Sequence, residues 1–236
     1  MASTVFHPAT TRMHGNSGWL DAHRSFLPSG ASEPSRQSFG ALLILNDDTV
    51  MGGTGFGMHA HRNAEIMTLL LEGALEHADT LGNKGVINVN ELQIISAGSG
   101  ISHSEKNHSA TAPVHFLQIW LTTDQPEATP YYDQVSFDTA SHPDSFVQVV
   151  SPHAGQAGVQ VRQQAWLHVG TLTPGVATTY AVKRPGNGVY AFVLEGNVRI
   201  GNQQLGAYDA LGIWNTTQLT VEALSPAKVL LIDVPM

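Results

Sequence analysis

The sequence predicts an all-β protein made of two similar halves, and three observations lead there. Short runs rich in Val, Ile, Leu and Phe recur between Gly, Asn, Asp and Pro punctuation, the pattern of strands separated by turns. Helical periodicity of any length is scarce. A strand-plus-turn unit also occurs twice, as MTLLLEG from Met67 to Gly73 and as YAFVLEG from Tyr190 to Gly196, in corresponding parts of the two halves, as a duplicated β-barrel would place it.

Taken in order, the opening MASTVFHPATTRMHGNSGWL mixes His, Arg, Asn and Pro and holds no apolar core of signal-peptide length, so an untargeted, cytoplasmic protein is expected. SFLPSGASEPSRQSF, Ser25 to Phe39, is Ser/Pro-rich and reads as a loop, a possible pocket cover but inert by default. FGALLILND, EIMTLLLEG, LQIISAG and VHFLQIWLT supply strands of the first half. VQVVSP, WLHVGTL, GVYAFVLEG, NVRIG, ALGIW, QLTVEA and KVLLIDV supply those of the second. Between them TTDQPEATPYYDQ, Thr122 to Gln134, is rich in turn residues, with room for a short helical turn from Pro126 to Gln134. The boundary is placed there, giving an N-terminal unit of residues 1–130 and a C-terminal unit of residues 131–236, sizes that suit two domains.

Composition removes several function classes. The formal charge is −8 with 11 Lys and Arg and no basic cluster, which argues against direct nucleic-acid binding and against adhesion to an anionic membrane. No apolar run is long enough to span a bilayer. Cysteine is absent, so disulfides, thiolate nucleophiles and Cys-ligated zinc are excluded, and any metal must be held by His and carboxylate. Of the 12 histidines, six (His59, His61, His77, His103, His108 and His115) fall in one window.

Within GFGMHAHRNAE, His59 and His61 are two residues apart, so on a strand both imidazoles face one side. SAGSGISHSEKN repeats the device: Gly98 and Gly100 mark a turn, and His103 and Glu105 share a face after it. Two antiparallel strands carrying these dyads would bring three imidazoles and one carboxylate to a point inside a barrel, a set suited to Fe, Mn, Ni, Co, Cu or Zn. Glu65 has the same odd-numbered phase as both histidines, so strand phase leaves it open as an alternative carboxylate.

These motifs resemble those of a known family. Gly100, His103 and Asn107 match G-x-x-H-x-x-x-N, and His59, His61 and Glu65 match H-x-H-x-x-x-E, the two cupin motifs. NDD…GFGMHAHRNAEIMTLLLEGALEHADTLGN followed by SAGSGISHSEKN, with GWLDAHRSF and HFLQIW, resembles the pirin family and its bacterial members associated with quercetin 2,3-dioxygenase activity. The likeness is dense from Gly18 to about Phe137 and thinner beyond. It departs from the family at Ala60, where proline is usual, at Asn63, and at Arg24, where a histidine is common and His23 stands one place early.

The resemblance implies a bicupin, two double-stranded β-helix (jelly-roll) barrels packed face to face, with one divalent metal in the front barrel, Fe(II) first among the choices. Carried over by position, the ligands are His59, His61, His103 and Glu105. Glu105 doubles as the base for the substrate hydroxyl, while Glu65, His77 and His115 are candidates to support the ligands from behind. Apolar residues such as Phe56, Met58, Met67, Phe116 and Ile119 would form pocket walls. The second barrel carries no His-x-His, so His142, His153 and His168 read as surface or structural. The implied activity is cleavage of a flavonol such as quercetin by O2 with release of carbon monoxide, in a monomer. The alternative is a metal-binding module that regulates a partner protein, a transcription regulator or a metabolic enzyme.

Overall fold

The computed structural model describes residues 2–27 and 36–236. Most of the segment expected to form a loop over a pocket, residues 28–35, lies outside the described residues. Twenty-two strands and one short 3-10 turn, Ala9–Thr11, make up the regular structure among the described residues. None of their helices is long and apolar enough to cross a membrane.

The front half contains β2 (Met13–Asn16), β3 (Leu20–Arg24), β4 (Leu42–Val50), β5 (Gly55–His61), β6 (Ala64–Glu72), β7 (Ala74–Asp79), β8 (Lys84–Asn88), β9 (Glu91–Ser96), β10 (Ile101–Asn107), β11 (Val114–Thr122) and β12 (Tyr131–Ser136). They form a seven-stranded sheet in the order β12-β9-β6-β11-β4-β3-β2 and a four-stranded sheet in the order β5-β10-β7-β8. The rear half contains β1 (Ser3–His7), β13 (Ser145–Ser151), β14 (Val159–Gln160), β15 (Trp166–Leu172), β16 (Ala177–Ala181), β17 (Asn187–Glu195), β18 (Val198–Ile200), β19 (Gln203–Leu205), β20 (Ala210–Trp214), β21 (Gln218–Ala223) and β22 (Ala227–Pro235). Its sheets repeat the design: β1-β20-β17-β22-β15-β13-β14 and β16-β21-β18-β19.

Two strands cross the expected division at residue 130. β1, at the N-terminus, pairs with β20 of the rear sheet, and β12 pairs with β9 of the front sheet. Each half therefore takes an edge strand from beyond the boundary. The helical turn expected over Pro126 to Gln134 is instead a tight turn followed by β12, because Tyr131, Tyr132 and Val135 gain a full ladder against β9.

The two seven-stranded sheets bury their outer faces against each other, which explains why β6, β11, β17 and β22 are apolar almost throughout rather than alternating. Met67, Leu69, Leu117 and Ile119 from the front and Val169, Tyr190, Phe192, Leu230 and Ile232 from the rear share one core. Each such side chain contributes about 1.5–3 kcal/mol on full burial, so the interface is as much a core as either barrel. Met67 and Ile119, expected as pocket walls, belong to this interface; Phe116 packs with Leu70 and Leu75 at one end of the front barrel.

The repeated LEG units are β6 and β17, each ending at a glycine with positive φ (Gly73, 79°; Gly196, 78°). Counting from these turns, the ladders put the two barrels in register. Thr68, Gln93 and Gln118 lie side by side in the front barrel, and Ala191, Leu211 and Leu231 lie side by side in the rear. One barrel is polar inside where the other is greasy.

Candidate metal centre

β5 and β10 are antiparallel neighbours, with His103 directly opposite His59 and Ile101 opposite His61. The turn before β10 depends on Gly98, at φ 46°, where an added Cβ would stand 1.9 Å from the Ala128 carbonyl oxygen, so only glycine fits. Between His103 and Glu105 the register slips, and Phe56 becomes the partner of Glu105. This bulge lets Phe56 and His59, three positions apart, both turn inward. Gly57 and Met58 consequently face out, and Met58, expected as a pocket wall, is 58% exposed.

The donor nitrogens of His59, His61 and His103 all lie within 4.8 Å of one another. Their ring centroids are 4.5 Å (59 to 103), 4.7 Å (59 to 61) and 4.9 Å (61 to 103) apart. His59 Nδ1 donates to the Gly57 carbonyl at 2.7 Å, which fixes its tautomer and leaves Nε2 as a lone-pair donor. His61 Nε2 and both ring nitrogens of His103 are buried without a hydrogen-bond partner among the described residues. Each such atom costs about 1–3 kcal/mol, so a cluster of them aimed at one point calls for a partner there. A divalent cation fits that description. Burial, reinforced by the neighbouring imidazoles, pushes His61 down to about 4 and His103 to about 3. Both rings are therefore neutral near pH 7, the form a metal requires.

Glu105 is buried but stands outside this close group. Its Oε1 accepts from Thr68 Oγ1 at 2.9 Å and Gln93 Nε2 at 2.5 Å, and its Oε2 from Gln118 Nε2 at 2.8 Å. Burial raises its pKa against the pull of these donors. A carboxylate offers about four lone-pair sites; three are used, and one remains on Oε2. In the rear barrel the positions in register with His59, His61, His103 and Glu105 are Tyr180, Val182, Leu219 and Val221. Its buried His168 is instead beside Tyr180, whose hydroxyl donates to Asp233 Oδ2 at 3.0 Å.

The other sequence candidates separate. His77 lies behind His103, ring centroids 5.6 Å apart, with Nε2 on Asp79 Oδ2 at 3.0 Å and its ring stacked on Tyr132. Glu65 does not share a strand with His59 and His61: the chain turns at Asn63, φ 51°, and β6 begins after it. Its carboxylate accepts from Ser96 Oγ at 2.8 Å and from the Arg162 amide at 3.2 Å, tying the front half to the rear. His115 is on the opposite face of β11 from Gln118, bonded to Asp47 and near Tyr208 of the rear half. Neither Glu65 nor His115 supports the imidazoles.

A cavity of about 140 Å³ opens beside the triad between Asp48, Phe56, His59, Glu105, Gln118 and Trp120. Asp48, Gln118 and Trp120 are additions that the motifs do not mark. Their signal is alternation along β11 (Phe116, Gln118, Trp120) and β4, whose inward faces meet there. Asp48 is 4% exposed, its Oδ1 has no partner among the described residues, and burial raises its pKa to about 7. Trp120 and His61 meet in a T-shaped pair with ring centroids 4.8 Å apart. A larger cavity, about 650 Å³, lies at the mouth of the rear barrel near Phe6, Leu211 and Leu219, but no titratable side chain among the described residues lines it.

Two face-packed jelly-roll barrels, with a histidine triad in the front one and no counterpart of it in the rear, define a bicupin. The chain belongs to the pirin family: the Pirin family model matches residues 7–121, and that of the quercetinase C-terminal cupin domain matches residues 148–234. It is 37% identical over 227 residues to quercetin 2,3-dioxygenase of Escherichia coli K12, covering 96% of each chain. It is 33% identical over 217 residues to the pirin-like protein of Caulobacter vibrioides, covering 92% of this chain and 93% of that one. The crystal structure of the bacterial pirin YhhW of Escherichia coli in complex with nickel(II) matches with a TM-score of 0.91 and 35% identity, covering 99% of each chain.

Proposed function

We propose that this protein is a metal-dependent dioxygenase that cleaves flavonols such as quercetin, with dioxygen as oxidant and one carbon of the central ring leaving as carbon monoxide. The observation that carries this reading is the convergence of unpartnered, neutral imidazole nitrogens from His61 and His103 with His59 beside a cavity. The naming of relatives that align over nearly the whole chain as quercetin 2,3-dioxygenases supports it. In this reading His59, His61, His103 and the free lone pair of Glu105 hold the cation, Fe(II) first and Ni, Cu, Mn, Co or Zn as alternatives. The bound cation supplies Lewis acidity toward the adjacent hydroxyl and carbonyl oxygens of the flavonol.

The chain's own groups supply the rest. Phe56 and Trp120 offer apolar faces to an aromatic substrate, and Gln118 keeps Glu105 aimed. The substrate hydroxyl must lose a proton. Glu105, the base expected from the family pattern, already accepts three hydrogen bonds, whereas Asp48 has a buried oxygen on the same cavity with no partner among the described residues, placed to take that proton. Aerobic incubation with quercetin after loading with each metal tests the reading. Loss of the flavonol band with carbon monoxide release is expected with at least one metal, and an unchanged spectrum with all of them rejects it.

One observation favours a second reading. The cavity, about 140 Å³, is below the roughly 300–1,000 Å³ of most small-molecule sites, so a flavonol enters only if Phe56 or Trp120 moves. A metal-holding module that acts through a partner protein needs no such opening. Metal-dependent capture of a partner by protein that turns over no flavonol would support it.

A further inference from the structure

A second cluster of metal-type donors lies on the β2–β3 hairpin, away from the triad. His14 pairs with His23 and Asn16 with Asp21 across the ladder, so these four side chains share one face, while Ala22 on the other face is buried. The donor atoms of His14, Asp21 and His23 all lie within 4.8 Å of one another. The two imidazoles are stacked, centroids 4.4 Å apart and planes 15° from parallel. Both turn a nitrogen to the same oxygen: Asp21 Oδ1 is 2.9 Å from His14 Nε2 and 3.6 Å from His23 Nδ1. Asn16 Nδ2 occupies Asp21 Oδ2 at 2.8 Å and so orients the carboxylate.

We infer that His14, Asp21 and His23 form a second, surface site for a divalent transition metal, which cross-links β2 to β3. Two imidazoles and a carboxylate are the ligands of zinc, nickel or copper in a cysteine-free site. Metal bonds of about 2.0–2.2 Å are shorter than the present separations, and the half-exposed side chains close that gap by rotating about their own χ angles, with no backbone shift. Remaining coordination positions open to water, so this site binds more weakly than the enclosed triad. The ion takes the place of the hydrogen bond between His14 and Asp21, and each neutral ring offers it a lone pair with its N–H on the other ring nitrogen.

The position gives the clip a consequence. Among the described residues β2 is an edge strand whose one ladder partner is β3. The hairpin turn carries Trp19, which meets Phe56 edge to face at 5.1 Å, and Phe56 lines the cavity beside His59. A metal stapling the hairpin would hold Trp19 against that wall. The inference does not rest on the proposed activity.

The test is zinc binding to the full chain by equilibrium dialysis, with side-chain NMR of the histidine rings. Two equivalents are expected for the wild type, one for His14→Ala/His23→Ala, and one for His59→Ala/His61→Ala. In the last variant the His14 and His23 ring signals shift on titration, and His23→Asn alone weakens this step by at least tenfold. A wild type that takes up a single equivalent, or a second equivalent that persists in His14→Ala/His23→Ala, overturns the site. So does a solvated surface pair whose ring signals stay unmoved at tenfold excess zinc.

Discussion

His59 and His103 face each other across the β5–β10 ladder with ring centroids 4.5 Å apart. The strand register, not a loop, sets that distance, so the triad is organised before any cation arrives. Replacing His59, His61 or His103 by Ala is expected to lower metal affinity by more than the ~10–100-fold that loss of a supporting partner costs, with the metal-free fold intact. Because burial holds His61 near 4 and His103 near 3, protons compete weakly at neutral pH. Metal bound at the triad, measured by elemental analysis of the His14→Ala/His23→Ala variant, should persist at neutral pH and fall as acidification protonates these rings.

Glu65 and Glu105 offer a direct contrast between the two carboxylates. Glu65 accepts from Ser96 Oγ and from the Arg162 backbone amide, so a Gln carbonyl can keep the backbone bond while its amide group donates to the serine hydroxyl. Glu65→Gln should keep the metal and change stability by about 1 kcal/mol or less, whereas Glu105→Gln should lose metal affinity by at least about tenfold. Parallel dialysis and thermal melts separate the two.

The rear barrel suggests a swap. Gln118→Leu alone removes one donor from buried Glu105 and should cost about 1–3 kcal/mol. Thr68→Ala, Gln93→Leu, Glu105→Val and Gln118→Leu together copy the layer found in the rear barrel. Replacing a whole buried polar set by packed apolar groups is commonly neutral or stabilising by about 1–4 kcal/mol. The quadruple variant should thus be at least as stable as the single one while failing to bind metal, measured by urea unfolding of both.

Asp48 makes stability depend on pH. Burial first, then the charges of Asp47 and Glu105, raise its pKa from 3.8 to about 7. The folded state therefore holds this proton more tightly than the unfolded chain. The resulting stabilisation is full below about pH 4 and is lost as the pH rises through 7. At about 1.4 kcal/mol per pKa unit, Asp48→Asn should gain about 3 kcal/mol relative to the wild type between pH 5 and pH 8. Metal-free protein is required for these melts, since a nearby cation would favour the charged carboxylate.

Much of this was legible in the residues. The apolar runs mark the major strands, and the LEG echo marks β6 and β17, which occupy equivalent central places. The dyads mark the three imidazoles. What residue spacing conceals is where a strand ends or slips. Strand phase puts Glu65 with the histidines, but a single left-handed residue, Asn63, breaks the strand between them. Alternation puts Met58 with Phe56, but the bulge opposite Glu105 turns Met58 out. The exchange of β1 and β12 across the halves is a pairing of distant segments, and local pattern carries no trace of it. Asp48 directly follows the run FGALLILND and becomes notable only when β4 is laid beside β11.

X-ray absorption and anomalous diffraction on nickel-loaded crystals test the central claim most directly. The account predicts that the strongest peak is bonded to His59, His61 and His103 at about 2.0–2.2 Å, with a carboxylate oxygen of Glu105 completing the protein ligands. A peak elsewhere with the triad empty, or three rings turned away from one another, would contradict it.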